Sequence, residues 1–251
     1  MLATIDIHVI SLPQSIERRD SVKEQFRRLG LSFAFFDAID GQSNHPDLIE
    51  MDSLRFLLRN KRYPVPGEIG CYTSHWLLWK KCYELQRPIV IMEDDFEFSA
   101  HAEKILASLG DLSQKFPILK LEKAINSKIV RSFESYNKIE VLTYKRAPNV
   151  LMAYMITPGA AEKLLNGKEK FHYPVDAYLR NSWLHGVPVR GISPPLVNFG
   201  ELTKPKQSTI GCRERNFPWW AVVPRLYLKN RNSIMTHLHN YIHNLSSKTF
   251  E

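Results

Sequence analysis

Three adjacent carboxylates, Glu93-Asp94-Asp95, follow directly on the run Pro88-Ile89-Val90-Ile91-Met92. Neighbouring carboxylates repel one another and lose hydration when buried, so such a cluster calls for a cation among them. Hard divalent ions prefer carboxylate and phosphate oxygens. An ion of that kind can bridge a protein carboxylate to a diphosphate and offset the charge of a departing group. A bare acidic tripeptide is otherwise a solvated turn. Its place at the end of an apolar strand, where open α/β sheets bind ligands, sets the two readings level.

Two further clusters lie upstream. In Gly67-Glu68-x-Gly70-Cys71-x-x-Ser74-His75, the glycines would let backbone approach a ligand closely. Ser74 and His75 offer hydrogen bonds one turn into a helix, although His75 equally suits a satisfied core position. In Ser11-Leu12-Pro13 with Arg18-Arg19, a loop after a first strand precedes two arginines. That is a common seat for a nucleotide, and arginine suits phosphate. The alternative is a helix start with solvated arginines.

These residues need a scaffold, and the pattern supplies one. Residues 5–12 read as a buried strand, 15–29 as a helix that Ser15 caps and Gly30 stops, and 32–40 as a second strand. Strand–helix–strand opens an α/β domain with a mostly parallel sheet. Helices are expected around 53–60, over 68–86, near 101–109, from Pro158, and over 173–186, with Pro88 and Gly186 as stops. Strands are expected at 88–92, 117–121, 139–144 and 150–157, and 187–197 reads as extended.

The chain has 251 residues, 44% hydrophobic and 24% charged, which suits a folded domain and excludes general disorder. Residues 177–251 hold ten Lys/Arg against three Glu, so of the net charge of +8 only one lies in residues 1–176. A basic end on a near-neutral body suggests an anionic partner, or only a soluble surface. Three cysteines without a CxxC pair argue against a disulfide framework or a structural zinc, and fit a reducing compartment. The N-terminal residues lack the pattern of a secretory leader, and no run of about 18 apolar residues could span a membrane. The expected location is cytoplasmic, either free or peripheral on the inner face of a membrane.

In order, these clusters resemble glycosyltransferase family 25, the lipooligosaccharide galactosyltransferases of Gram-negative bacteria and their collagen-modifying relatives in animals. The resemblance rests on Ile10–Arg19, on Phe36-Asp37-Ala38-Ile39-Asp40-Gly41, and on the GEIGCxxSHxxxW pattern from Gly67 to Trp79. It continues through Ile91–Asp95, Ala153–Leu165 and Pro174-Val175-Asp176. Ser11 stands where the family often has asparagine. The resemblance implies a GT-A-like single domain, a UDP-sugar donor (galactose before glucose), a divalent metal (Mn²⁺ before Mg²⁺), and inversion at the anomeric carbon.

Inversion by direct displacement needs a stabilised leaving group and a general base for the acceptor hydroxyl. By analogy within the fold, Asp95 is assigned to the metal, and Glu93 to the ribose. Asp94 goes to the sugar or the metal's surroundings, with an exchange of roles between Asp94 and Asp95 left open. Ser11, Leu12, Arg18, Ser74 and His75 are assigned to the donor. Asp176, at the start of a helix, is the base, or else an ordinary helix cap. A further metal ligand is sought among His172, His185 and Gln207. Residues 1–200 form the catalytic domain. Residues 201–251 form a basic lid loop, with Lys204, Lys206 and Arg213, and a C-terminal helical extension. That extension mixes Trp219, Trp220, Leu226, Tyr227, Leu228 and Ile234 with Arg225, Lys229 and Arg231. The mixture suits an anionic membrane surface near a glycolipid acceptor, or packing on the domain. No known nucleic-acid module is present. A glycan-binding protein without turnover is the alternative from another class, and a different sugar or a protein acceptor the alternative within enzymes.

Overall fold

The computed structural model describes residues 5–123, 128–167, 170–200 and 217–246. Strand β1 (Asp6–Ser11) leads into helix α1 (Ile16–Leu29), which ends at Gly30 in the left-handed region with φ 61°. Ser15 stands at the N-cap position, but its hydroxyl makes no cap hydrogen bond. Strand β2 (Ala34–Asp37) follows, then α2 (Ser53–Asn60), capped by the Asp52 carboxylate. Helix α3 (Pro66–Leu85) starts on a proline, whose missing N–H costs nothing in a first turn. Next come β3 (Ile89–Glu93), β4 (Phe96–Phe98), α4 (Ala102–Lys115) and β5 (Ile118–Lys120). The hairpin β6 (Lys128–Tyr136) and β7 (Ile139–Arg146) precedes β8 (Ala153–Ile156) and α5 (Pro158–Leu165). The chain continues through α6 (Val175–Arg180), β9 (Val189–Ser193), β10 (Val197–Phe199) and α7 (Val222–Ser246).

Eight strands form one sheet in the order β2-β1-β3-β8-β5-β9-β7-β6, while β4 and β10 pair separately. The sheet is mixed, which corrects the expected mostly parallel one. β2–β1, β1–β3 and β5–β9 run parallel, whereas β3–β8, β8–β5, β9–β7 and β7–β6 run antiparallel. The parallel half comes from the strand–helix–strand opening. The antiparallel half comes from the β6–β7 hairpin and from β8, which enters between β3 and β5 in the opposite sense. Alternation along β3 feeds two cores. Ile89 and Ile91 join α3, α5 and α6 through Trp79, Ala161 and Tyr178. Val90 and Met92 join α1 and α4 through Phe26 and Leu109.

The expected helix over 173–186 is broken. Asn181 leaves helical geometry, and a short 3₁₀ turn at Ser182–Leu184 replaces the continuation. Helix α7 packs on the domain through polar contacts. Arg225 donates to the Arg59 carbonyl at 2.9 Å, Trp183 donates to Asn232 at 2.9 Å, and Asn240 donates to the Lys145 carbonyl at 2.9 Å. Its apolar residues face outward: Val223 is 75% exposed, Tyr227 68% and Ile234 64%. No helix among the described residues is long and apolar enough to cross a membrane.

Candidate active site

The C-terminal ends of β1 and β3 lie side by side. The parallel register sets Ile10 opposite Glu93, so the next residues, Ser11 and Asp94, meet. The Ser11 hydroxyl donates to Asp94 Oδ2 at 2.6 Å, and Arg18 in the first turn of α1 donates to Oδ1 at 2.9 Å. Both oxygens of Asp94 are thus engaged by two of the predicted donor residues. Arg19 turns elsewhere: it donates to the Ser11 carbonyl at 2.8 Å, pairs with Asp37 and lies over the Phe35 ring. Leu12 is half-buried in the tight turn, and its carbonyl accepts from the Ser15 amide at 2.9 Å.

Glu93 stands at the end of a buried hydrogen-bond chain. The Trp79 indole, which can only donate, gives its N–H to the Tyr154 hydroxyl at 2.8 Å. That hydroxyl lies 2.9 Å from His75 Nδ1, and His75 Nε2 lies 3.4 Å from Glu93 Oε1. With Tyr154 accepting from Trp79, its proton goes to Nδ1, and Nε2–H faces the carboxyl. Burial lowers the His75 pKa to about 3, so the ring is neutral, as this chain requires. Glu93 keeps a third of its side chain open to the crevice. The protein around it still removes most of the bulk water. Burial first, then the charges of Asp176 and Asp94, push Glu93 up to about 8.

Asp95 responds in the same way. Burial, then Glu93 and Asp94, push it up to about 7. Carboxyls held this close to neutrality by crowding become anions when a divalent cation joins them. Glu93 and Asp95 both line one cavity, whereas both Asp94 oxygens are taken by Ser11 and Arg18, so Asp95 and Glu93 are the carboxylates open to a hard cation such as Mn²⁺ or Mg²⁺. Cys71, His75 and Glu93 also bring their ligand atoms within 4.8 Å of one another. That trio suits a softer ion poorly, because His75 is committed to Tyr154 and burial pushes the Cys71 thiol up, away from the thiolate.

Asp176 lies across a cavity of about 250 Å³ that Glu93, Asp95, Cys71 and Asn149 also line. Asn149 Nδ2 donates to Asp176 Oδ2 at 2.6 Å. Burial raises the Asp176 pKa, against the pull of the Ala177 amide and of Arg180. A neighbouring cavity of about 460 Å³, lined in part by α6 and α7, shares Asp176, Asn149 and Glu68 with the first.

A sequence model described as "Glycosyltransferase family 25 (LPS biosynthesis protein)" matches residues 4–179. The chain belongs to glycosyltransferase family 25. It is 34% identical over 125 residues to "Lipooligosaccharide biosynthesis protein lic2B" of Haemophilus influenzae, covering 47% of this chain and 46% of that protein. A "Putative glycosyltransferase" of Haemophilus influenzae is 30% identical over 189 residues, covering 71% of this chain and 64% of its own length. A "Glycosyltransferase 25 family member" of Aedes aegypti is 29% identical over 189 residues, covering 69% of this chain and 30% of its own length. The chain thus spans less than two thirds of each of these relatives.

In this family 25 chain several expected site residues lie behind the cavity that Glu93 and Asp95 line; Ser11, Leu12, Arg18 and Asp94 stand beside it without lining it. Ser74 and His75 are fully buried, and neither lines the cavity at Glu93. The Ser74 hydroxyl donates to the Gly70 carbonyl and accepts from the Ile39 amide. Gly70 serves the fold rather than a ligand, since a Cβ there would sit 2.2 Å from the Ile39 carbonyl oxygen. His185 is a core histidine: Nε2 lies 3.0 Å from the Leu179 carbonyl and Nδ1 accepts from the Val187 amide. His172 sits 3.7 Å from Asp52, beside α2. Neither histidine lines the cavity at Glu93 and Asp95. Gln207, Lys204, Lys206, Arg213 and the expected lid loop lie outside the described residues.

Other site residues escaped the sequence reading. Tyr154 sits in an apolar strand, with nothing to mark its hydroxyl as the link between Trp79 and His75. Lys120 and Glu122 were not singled out in or beside the expected strand 117–121, yet both are 1% exposed and paired at 2.6 Å. Asn149 lies in a loop, where its type alone suggests a turn.

Proposed function

We propose that this family 25 chain is an inverting glycosyltransferase. It would move a hexose, galactose foremost, from a UDP-sugar to a lipooligosaccharide-type acceptor in a GT-A-like catalytic domain. The observation that carries the reading is the position of Asp176 in the wall common to two cavities, one of them containing Glu93 and Asp95. A donor on the Glu93 side and an acceptor on the other would meet at one carboxylate. The name of the Haemophilus relative supports the acceptor class.

Ser11 and Arg18 orient Asp94 toward the donor, and Glu93 is steadied by His75. Asp95, with Glu93, would hold a divalent cation, Mn²⁺ before Mg²⁺. Bound there, such an ion supplies positive charge to the departing diphosphate. Asp176 takes the proton of the acceptor hydroxyl as that oxygen attacks the anomeric carbon from the face opposite the leaving group. Asn149 stabilises the ionised form of Asp176 by donating to it. The outward apolar residues of α7 support peripheral contact with a membrane surface.

The test is a panel of UDP-sugars assayed for UDP release with Mn²⁺ and then with EDTA. UDP-galactose should be turned over in Mn²⁺ and not in EDTA. Tight binding of every donor without UDP release would make the chain a binding protein instead.

A further inference from the structure

The larger cavity, about 460 Å³, is strongly unbalanced in charge. Arg59, Arg62, Arg146, Arg180, Arg225 and Lys229 line it, against only Glu68 and Asp176. Three of these cations are engaged locally: Arg62 grips both oxygens of Glu68 at 2.5 and 2.6 Å, Arg59 donates to the Tyr173 hydroxyl, and Arg225 donates to the Arg59 carbonyl at 2.9 Å. Asp176 is engaged by Asn149.

Arg180 is the most informative member. Its Nε is buried without a hydrogen-bond partner. Among the described residues, neither Arg180 nor Arg146 makes a side-chain hydrogen bond or an ion pair. Burial, then the like charge of Arg146, lowers the Arg180 pKa to about 10. Arg180 feels the carboxylate of Asp176 only through space, so these two guanidiniums, one of them desolvated, lack the hydrogen-bond acceptor that an anion would supply. The remaining wall is polar, with Ser233 and His237 of α7 offering groups suited to sugar hydroxyls. A single carboxylate needs one guanidinium fork. Arg146, Arg180 and Lys229 together match a group carrying close to two negative charges, as a phosphate monoester does.

We propose that the acceptor carries a phosphate group on a sugar, and that Arg146 and Arg180 bind this phosphate while the accepting hydroxyl is presented to Asp176. The proposal rests on the transfer reading above. It adds an anionic acceptor subsite on the side of Asp176 away from Glu93 and Asp95. Arginine forks hold phosphate oxygens in fixed directions, so the subsite would also set which hydroxyl faces the base.

The test uses the full chain, saturated with UDP and Mn²⁺ so that the diphosphate site is filled. It is titrated with glucose, glucose 6-phosphate and inorganic phosphate. Glucose 6-phosphate should bind at least about ten-fold more tightly than glucose, with inorganic phosphate competing. Arg146→Gln, on an exposed side chain, and Arg180→Gln should each erase that preference, while UDP affinity stays at the wild-type value. Equal binding of glucose and glucose 6-phosphate by the wild type overturns the proposal, as does an undiminished preference in Arg146→Gln. Phosphatidylglycerol vesicles form the second arm. If Arg146→Gln loses vesicle binding yet keeps glucose 6-phosphate binding, the anion is a lipid headgroup and the sugar-phosphate proposal fails. UDP binding is measured separately, and the sugar titrations are repeated without UDP. Failure of the donor reading is thereby distinguished from failure of the subsite.

Discussion

Asn149 Nδ2 donates to Asp176 Oδ2 at 2.6 Å, and this bond ties a loop residue to the carboxylate between the two cavities. A donated hydrogen bond favours the ionised form, whereas burial has already raised the Asp176 pKa. The base is therefore active above its raised pKa and lost as pH falls through it. Asn149→Ala should move the acid limb of kcat upward by roughly one pH unit, the equivalent of about 1.4 kcal/mol. Asp176→Asn should nearly abolish transfer and leave UDP affinity intact. An Asp176→Asn protein that kept most of its turnover would remove Asp176 from the chemistry.

Ser11 and Arg18 share the task of fixing Asp94. Ser11→Ala removes one hydrogen bond to a charged group, worth about 1.5–3 kcal/mol where well formed. The donor KM should rise roughly ten-fold, with kcat less affected. Asp95→Asn should instead weaken UDP binding only when Mn²⁺ is present. Identical losses with and without Mn²⁺ would separate Asp95 from the metal.

The Tyr154 hydroxyl serves Trp79 and His75 together. Tyr154→Phe strands a buried N–H and a buried ring nitrogen, at about 1–3 kcal/mol each. At about 2–4 °C per kcal/mol for a chain of this size, Tm should drop by roughly 4–24 °C. Calorimetry showing a fall under about 2 °C would mean that the chain of bonds is not formed.

His185 gives a pH test of the core. Burial lowers its pKa from 6.5 to about 4. A histidine depressed in the folded state contributes stability that is complete above its unfolded pKa and lost as pH falls toward the folded one. His185→Gln, which does not titrate, should lower Tm at neutral pH, and the gap to wild type should narrow between pH 6.5 and about 4. A gap constant over that window would show that His185 is not a buried neutral histidine.

Much of the scaffold was legible because the signals were local. Pro158, Gly30 and Pro88 mark element ends through their own backbone limits, and the apolar run 89–92 marks its strand. The β6–β7 hairpin was half missed, because its turn is Asn137-Lys138, both at positive φ. Lysine does not advertise that conformation as glycine does. The sense of the sheet's second half was hidden because β8 pairs with β3 and β5 across long sequence gaps. At the strand ends, the type and position of Ser11, Arg18 and the acidic triplet were enough to expect them side by side, and Ser11 and Arg18 do meet Asp94. Ser74 and His75 were over-read: their spacing placed them correctly on α3, but burial decides whether a polar group meets a ligand or the protein's own backbone. Lys120 and Glu122 were passed over for the converse reason, since a buried pair looks like a solvated one until its neighbours are known.

Helix α7 carries two opposed stripes. Arg225, Lys229, Asn232 and Thr236 line the basic cavity, while Val223, Tyr227, Ile234 and Tyr241 point outward. The helix thus works as a phase-locked part. Inserting one residue near Leu226 would turn everything beyond it by about 100°. Lys229, Asn232 and Thr236 would swing off the cavity, although each of them would still be present in the chain. Substitutions on the outward stripe leave this phase intact, whereas single-residue insertions or deletions do not, so the helix tolerates changes of letter far better than changes of length.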